Sequence, residues 1–324
     1  MLNIKYLVSF SISLIISLFL YPRFIKFMAG LQLNQQVSEY ALAEFKDKKK
    51  TPTMGGIIFL FVPIITLLLV DFKAFTNINT LLVIASFLSF GLIGLYDDYL
   101  ILVRQDNIGF PTKKKFITEV VLAVIFGIIW YQYNGGLVGL AIPFTSIFIK
   151  VGWLYLLVII FMLSGVSNAV NLTDGMDGLA GGTVLIALIP YTYFALKLEN
   201  VDLAIFLFAV MGSLIAYLAY NNKPAKVIMG DVGSLSLGAL LAATAIVLNQ
   251  ELSLVIIGMV FVLETLSVII QIGSVKLRKK RVFPYTPIHY SFTIWGMKEK
   301  HVVYMFYACA ILFAIIGIFF GVNL

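Results

Sequence analysis

The chain contains one cysteine, two histidines and little charge for its 324 residues. A single cysteine, Cys309, cannot support a disulfide framework. Because cysteine and histidine form no cluster in the sequence, a zinc site is also excluded. Charged residues make up 12% of the chain and hydrophobic residues 61%. The apolar share of a soluble domain is nearer half, so the composition excludes a soluble protein.

The hydrophobic residues are concentrated in ten apolar stretches, and the mean hydropathy is +1.01. A helix of about 18 or more apolar residues can cross a bilayer core of roughly 30 Å. The stretches lack the alternation of a transmembrane barrel. The sequence therefore predicts an all-α integral membrane protein with about ten transmembrane helices. These spans are Leu2–Phe27, Thr53–Val70, Thr80–Tyr96, Phe116–Tyr133, Val151–Ala169, Leu179–Leu198, Leu203–Tyr220, Ser234–Leu248, Leu252–Ser274 and Val302–Val322.

Two of these spans, the eighth and the first, are unusual in length. The eighth, 234–248, is short and contains a glycine. The first has an apolar run that is too long for a cleavable signal, and no small-residue cleavage site follows it. We therefore expect the first span to remain part of the protein.

Lysine and arginine are distributed unevenly between alternate loops. If the amino terminus faces outside, four of the 23 basic residues lie outside, and the other nineteen lie in inner loops or at inner helix ends. The four are Lys5, Lys73, Lys150 and Lys197. Cytoplasmic loops carry such an excess, so we expect both termini to face outside. The net charge of +7 then reflects topology first and attraction to anionic lipid or phosphate second. It does not indicate nucleic-acid binding.

The most polar segments all fall on the predicted cytoplasmic side. They follow the third, fifth, seventh and ninth spans, and they read LYDDYL, NLTDGMDG, NNKPAKVIMGDVGS and TPIHYSF. The outer loops carry only scattered acids. The inner segments contribute Asp97, Asp98, Asp174, Asp177, Asp231 and His289. We therefore expect these acids and the histidine to converge on the cytoplasmic face of the membrane.

Such a group of acids is typical of a site for a divalent cation. Neighbouring carboxylates repel one another unless a cation lies among them. Mg²⁺ is commonly bound by one or two carboxylates together with substrate phosphates. Gly230 and the residues after it open the eighth span, where the N–H groups of a helix N-terminus can face an anion. Lys113, Lys114 and Lys115, at the start of the fourth span, could bind phosphate.

Each polar motif also has a structural interpretation. Asp97 and Asp98 could mark a membrane interface. Asp174 and Asp177 could cap helices, and Asp231 could cap the eighth helix. The lysines could serve only to orient the chain, and the histidine could be a bystander. The coincidence of four polar motifs on one side favours a common site for the set.

Two glutamates lie deeper in the predicted spans. Glu119 is near the start of the fourth span and could pair with a nearby lysine. Glu264 is near the middle of the ninth span, where a charged carboxylate costs about 2.5–3.5 kcal/mol. We expect Glu264 to be neutral, hydrogen-bonded or in a water-filled cavity. It is a candidate either for substrate binding or for a hydrogen bond between helices.

Six motifs occur in a fixed order along the chain. They are KKKTPTMGG, LYDDYL, TKKKF, NAVNLTDGMDGLAGG, NNKPAKVIMGDVGS and ETLSVIIQIGSVKLRKKRVFPYTPIHYSF. In combination they closely resemble the phospho-N-acetylmuramoyl-pentapeptide transferase family, within the polyprenyl-phosphate N-acetylhexosamine-1-phosphate transferase superfamily. DDY alone would point only to the superfamily. The resemblance extends from about Thr51 to Phe292.

The resemblance implies one polytopic transmembrane transferase domain over residues 1–324, with ten helices and a cytoplasmic cleft. It implies a multi-pass protein of the bacterial cytoplasmic membrane, usually a homodimer. The implied reaction is Mg²⁺-dependent and joins undecaprenyl phosphate to UDP-N-acetylmuramoyl-pentapeptide. Its products would be UMP and lipid I, for peptidoglycan synthesis and cell wall biogenesis, with no nucleic-acid partner.

The resemblance also implies roles for individual residues. Asp97 would be the base that keeps the lipid phosphate a competent nucleophile, with Asp98 beside it. Asp231 would coordinate Mg²⁺, and Lys113 and Lys115 would contact phosphate. The residues implied to line or approach the substrate pocket are Lys48, Asn171, Leu172, Asp174, Gly175, Asp177, Asn221, Ile228, Gly230 and Glu264.

The chain departs from the family pattern at three places. Where the family usually has three consecutive histidines, this chain has His289, Tyr290 and Ser291. A catalytic or substrate role therefore carries over to His289 alone. At the position of Ile228 the family often has an aromatic residue, which could stack on uracil. A glycine commonly precedes TPTMGG in the family, where this chain has Lys50. None of these positions concerns the implied metal or lipid-phosphate groups.

Three other functions compete with this one. The first is a related transferase that uses another UDP-N-acetylhexosamine donor, as in teichoic-acid or antigen initiation. Its donor specificity would distinguish it from the implied enzyme. A transporter tends to place substrate groups near the bilayer midplane, often with inverted repeats. Here the ionisable groups lie mainly at span ends, and no convincing internal repeat is present. A lipid-binding structural subunit would not need the acids.

Overall fold

The fold is known from a computed structural model, which describes residues 4–30, 51–104, 109–142, 145 and 147–321. The described residues are mostly helical. Their α-helices are α1 (Ile4–Gly30), α2 (Gly56–Val70), α3 (Ile78–Arg104), α4 (Thr112–Tyr133), α5 (Tyr155–Thr173), α6 (Leu179–Lys197), α7 (Val201–Asn221), α8 (Gly230–Val247), α9 (Glu251–Ile257), α10 (Met259–Arg278), α11 (Ile288–Ile294) and α12 (Glu299–Gly321). Strands β1 (Gly139–Ala141) and β2 (Phe148–Lys150) form an antiparallel hairpin, and 3₁₀-helices cover Phe72–Thr76 and Gly152–Leu154.

The helices confirm the predicted class of protein. Within the described ranges, nine helices are long and apolar enough to cross a membrane. A tenth apolar helix, α2, is shorter, with 15 residues. The ten predicted spans correspond to α1 to α8, to α9 with α10, and to α12. The chain is therefore an all-α multi-pass membrane protein.

The ninth predicted span is interrupted. It was expected to run as one helix over 252–274, but α9 ends at Ile257 and α10 begins at Met259. Gly258 lies between them, and its N–H donates to the Leu254 carbonyl at 2.7 Å. Glycine has a low helix propensity, which is the local reason for a break at this position.

Helix α8, which contains the short eighth predicted span, is the most buried of the nine long apolar helices described. Its small residues permit close packing. A Cβ on Gly238 would lie 2.5 Å from the Ser167 Cα of α5, and Gly94 of α3 packs against the backbone of Asp231. Small residues allow membrane helices to approach closely. The end of α3, the end of α5 and the start of α8 therefore meet at one end of the bundle, here called the site end.

The opposite end of the bundle carries the β-hairpin, which joins the far ends of α4 and α5. Its polar groups pair with one another: Lys5 lies 2.7 Å from Asp71, and Asn77 donates to Asp202 at 3.0 Å. Among the residues that the structure describes, the cluster of three acids beside a lysine lies at the site end. Which end faces the cytoplasm stays a prediction from the distribution of lysine and arginine.

Candidate active site

Three carboxylates from two helices meet at the site end. Asp97 and Asp98 lie in the last turns of α3, and Asp231 lies in the first turn of α8. One oxygen from each lies within 4.8 Å of the other two. Asp97 is 6% exposed and Asp98 is 7% exposed. Buried carboxylates this close require nearby positive charge or hydrogen-bond donors.

Asp98 obtains its donors from the start of α8. Its two carboxylate oxygens accept the N–H groups of Asp231 and Val232, each at 3.1 Å. The first N–H groups of a helix have no partner inside the helix, and a negative charge is favourable there. Gly230 has φ +72°, and a Cβ on it would overlap the Asp98 carboxylate. The cap of α8 is thus supplied by α3, and Gly230 leaves room for it.

Asp97 is held by the segment that leads into α4. Its Oδ1 accepts the N–H of Phe110 at 2.8 Å. A Cβ on Gly109 would lie 2.8 Å from the same oxygen, so glycine permits the approach. The Lys115 Nζ lies 3.9 Å from Asp97 Oδ2. Asp97 therefore faces both a backbone donor and a lysine ammonium.

Asp231 is the most strongly paired of the three acids. The Lys115 ammonium donates to its Oδ2. The Asn171 amide donates to its Oδ1 and to the Ser234 hydroxyl, both at 2.8 Å. Helices α4, α5 and α8 thus converge on one carboxylate.

The chemistry of this group fits a hard divalent cation. All three acidic ligands offer oxygen, which Mg²⁺ prefers. The ammonium of Lys115 already lies among carboxylates whose repulsion a cation relieves. Asp97, Asp98 and Asp231 are therefore residues that could hold such an ion.

A cleft of about 540 Å³ opens beside the acids. Asp97, Lys115 and Asn171 line it, and it continues to Glu119 and Asn168. Glu119 is buried, and its Oε2 accepts the Asn168 amide at 2.7 Å. Small-molecule sites commonly have volumes of about 300–1,000 Å³. The cleft is therefore large enough for a phosphate-bearing group beside the carboxylates.

The loop after α5 lies against the segment between α7 and α8. The Asn221 Oδ1 accepts the N–H of Gly178, and its amide donates to the Val227 carbonyl, both at 2.8 Å. Asp177 Oδ2 accepts the N–H of Ala225 at 3.1 Å. Asn221 and Asp177 therefore join two loops that carry several of the implied substrate residues.

The side chains of His289 and Glu264 pair with each other behind this loop. Both are fully buried, and His289 Nδ1 lies 3.1 Å from Glu264 Oε2. A Cβ on Gly175 would overlap the His289 imidazole. Tyr290, the second residue of the altered histidine run, packs its ring 4.1 Å from that of His289. The pair lies behind Gly175 and is not among the residues that line the cleft.

The other candidates lie in different surroundings. Lys113 is exposed and is not among the lining residues of the cleft. Ile228 is buried, and its backbone bonds Pro52 at 2.9 Å and Gly55 at 2.8 Å. The N–H of Asp174 donates to the carbonyl of Asn171 at 3.2 Å. Leu172 is half-buried near the end of α5. Lys48 lies outside the described residues.

Sequence reasoning did not assign Asn168 to the site. The signal was present, since Asn168 and Asn171 are three apart, as are the acids of the following loop. Residues three or four apart share one helix face. The same rule relates Lys115 and Glu119, which both line the cleft.

Comparison with known proteins supports a single family. The family model described as glycosyl transferase family 4 matches residues 80–249. A phospho-N-acetylmuramoyl-pentapeptide-transferase signature matches residues 48–60. The chain is 42% identical to the phospho-N-acetylmuramoyl-pentapeptide-transferase of Bacillus mycoides and 41% identical to that of Bacillus thuringiensis, over 99% of each chain. The chain therefore belongs to the phospho-N-acetylmuramoyl-pentapeptide-transferase family.

Proposed function

We propose that the protein transfers phospho-N-acetylmuramoyl-pentapeptide from its UDP donor to undecaprenyl phosphate, which yields lipid I and UMP. Membership of the family supports this reaction. The observation that carries it is the meeting of three carboxylates with Lys115 beside a cleft. Transfer of a phosphoryl group depends mainly on positioning and on neutralising charge, and these residues are suited to both tasks.

The setting of the reaction follows from its two substrates. One is carried by a long lipid and the other is soluble, so the site must lie at a membrane surface. We propose one domain over residues 1–324, in the bacterial cytoplasmic membrane, with the site end facing the cytoplasm. We also propose a homodimer, on the basis of the family resemblance.

We propose that Mg²⁺ is the cofactor and that Asp231 holds it, with Asp97 and Asp98 beside it. When bound, the ion would neutralise charge on the donor pyrophosphate. The chain's own contribution is to orient Asp231 through the Asn171 amide. Asp98 keeps the first turn of α8 in place by accepting two of its N–H groups.

Asp97 is the proposed base toward the lipid phosphate. It lines the cleft, so an incoming phosphate can reach its carboxylate. By accepting a proton from the phosphate, it leaves an oxygen free to act as nucleophile. Lys115 offers its ammonium to the negative charge that gathers during transfer, and Lys113 is a further candidate for contact with phosphate.

The proposed nucleotide pocket is formed by the end of α5, the loop after it and the segment before α8. Its members, as carried over from the family, are Asn171, Leu172, Asp174, Gly175, Asp177, Asn221, Ile228 and Gly230. The bonds of Asp177 and Asn221 between the two loops support this proposal. Lys48, Glu264 and His289 stay further candidates for substrate contact.

The test is release of UMP by purified protein supplied with undecaprenyl phosphate and UDP-N-acetylmuramoyl-pentapeptide, with and without Mg²⁺. We expect release that depends on Mg²⁺ and that falls by about 100-fold or more in Asp231→Asn. Full activity in Asp231→Asn would contradict the role of this residue. A parallel reaction with UDP-N-acetylglucosamine is the donor control. Lipid product from that donor alone would overturn the proposed function.

A further inference from the structure

The loop between α5 and α6, residues 174–178, connects the site with the carboxyl-terminal helices. It begins beside the site, because Asn171 at the end of α5 donates to Asp231. Its far side lies against α11 and α12. The function proposed above assigns the donor nucleotide to this loop.

Two tyrosines from the carboxyl-terminal helices bind the main chain of the loop. The Tyr290 hydroxyl of α11 donates to the Gly175 carbonyl at 3.2 Å. The Tyr307 hydroxyl of α12 donates to the Gly178 carbonyl at 2.6 Å. Burial raises the pKa of the Tyr290 hydroxyl well above its usual range, so it remains a donor.

A buried glutamate binds the same loop at a third point. Glu299, in the first turn of α12, is 5% exposed, and its Oε1 accepts the N–H of Asp177 at 3.0 Å. Its Oε2 pairs with the Lys223 ammonium, in the segment between α7 and α8. One carboxylate therefore joins α12 to both loops beside the site. A buried carboxylate without such partners is energetically costly. The burial of Glu299 therefore favours the arrangement in which both partners are in place.

The glycines of this region make these contacts possible. A Cβ on Gly175 would overlap the imidazole of His289, and a Cβ on Gly182 would overlap the Tyr307 hydroxyl. Gly178 has φ +83°, a conformation that glycine adopts without strain. Gly175 and Gly182 therefore leave room for carboxyl-terminal side chains, and Gly178 permits the turn between them.

We infer that Tyr290, Glu299 and Tyr307 are positioning residues of the nucleotide site, which hold the main chain of residues 174–178 in the conformation that binds the uridine nucleotide. This inference rests on the proposed function, which supplies the nucleotide. The three side chains bind carbonyl and N–H groups of the loop, so they act through it. A loop that is ordered before binding loses less conformational entropy when the ligand arrives.

The test uses variants of the full-length protein. Tyr290→Phe and Tyr307→Phe each remove one hydroxyl. Glu299→Gln keeps an acceptor for the N–H of Asp177 but removes the charge, whereas Glu299→Leu removes both. Tyr133→Phe is the matched control, because Tyr133 is 58% exposed and lies at the opposite end of α4. Binding of UMP is measured by isothermal titration, and turnover is measured with both substrates varied.

We expect UMP affinity to fall about 3- to 10-fold in each tyrosine variant and roughly 10- to 100-fold in Glu299→Leu, because hydrogen bonds to charged groups are stronger. Glu299→Gln should recover part of the affinity lost in Glu299→Leu. The donor KM should rise with the dissociation constant of UMP. The acceptor KM should stay at its wild-type value, which a general loss of structure would not allow.

Unchanged UMP affinity and donor KM in Tyr290→Phe and Tyr307→Phe would overturn the inference. If Glu299→Leu does not fold, the two tyrosine variants and Glu299→Gln decide the question. Wild-type protein that binds UMP but forms no lipid product would contradict the proposed function alone, and the binding measurements would still decide the inference. Wild-type protein that does not bind UMP would overturn the inference as well.

Discussion

At the scale of single residues, the candidate site places one lysine among three acids. Lys115 donates to Asp231 and lies 3.9 Å from Asp97, and it is 15% exposed. Lysines of the same run, such as Lys114, are exposed. The consecutive lysines of TKKKF are therefore not equivalent, because a helix turns successive side chains to different faces.

Replacing Lys115 should remove much of the transferase activity. We expect Lys115→Met to lower UMP release by about 100-fold or more, because the ammonium no longer opposes the charge of the acids and of the phosphates. The rate is measured at saturating donor and acceptor. Lys114→Met removes an exposed ammonium from the adjacent position, and it should keep a rate close to that of the wild type. Equal rates in the two variants would contradict the role of Lys115.

At the scale of helices, glycines decide where elements approach and where they end. Gly94 and Gly238 allow α3 and α5 to pack closely on α8. Gly258 separates α9 from α10. At the opposite end of the bundle, α5 and α9 are joined by a different contact: Tyr155 donates its hydroxyl hydrogen to Glu251. Glu251 is buried at this junction, so its protonation state bears on the packing of the two helices.

Glu251 precedes the ninth predicted span, which begins at Leu252, and burial raises its pKa to about 8. The folded protein therefore keeps a proton that the unfolded chain loses near the ordinary value of 4.5. Stability that depends on this proton is present at low pH and is lost as the pH rises toward about 8. We expect the melting temperature to fall over this range in the wild type, and to fall less in Glu251→Gln, which has no proton to lose.

Differential scanning fluorimetry in one detergent, from about pH 5 to about pH 9, covers the range in which this proton is lost. Glu199→Gln is the matched control, since Glu199 is exposed at the same end of the bundle. It should follow the wild-type pH dependence. If the melting temperature of Glu251→Gln falls with pH as steeply as that of the wild type, the buried proton does not govern the pH dependence of unfolding.

At the scale of the whole molecule, the two ends of the helical bundle carry different sets of polar groups. One end holds the three acids, Lys115 and the cleft. The other holds the β-hairpin and paired polar groups such as Lys5 and Asp71. The positive-inside rule assigns the first end to the cytoplasm.

Labelling of single cysteines tests this orientation. In a Cys309→Ala background, Lys73→Cys and Lys280→Cys each place a thiol at an exposed position. Cells treated with a membrane-impermeant maleimide should label Lys73→Cys when intact and Lys280→Cys only after permeabilisation. The predicted topology places these two positions on opposite sides of the membrane. The reverse pattern would place the site end outside.

The sequence predicts that the acids of the site lie together, but it does not predict which groups each acid contacts. The predicted topology brings Asp97, Asp98 and Asp231 to one side, and the structure has them within 4.8 Å of one another. That Asp98 caps α8 depends on the close packing of α3 against α8. No local pattern in LYDDYL indicates which N–H groups the second aspartate will accept.

The class of the protein, its family and all but the ninth of its spans could be predicted from the sequence alone, because apolar length and motif order are properties of short segments. The partners that bond the main chain of residues 174–178 follow only from the packing of the helices. Glu299 is 122 positions from Asp177, and Tyr307 is 129 from Gly178. Such partners meet because α12 packs against α6. A contact of this kind depends on how whole helices pack, which no single segment records.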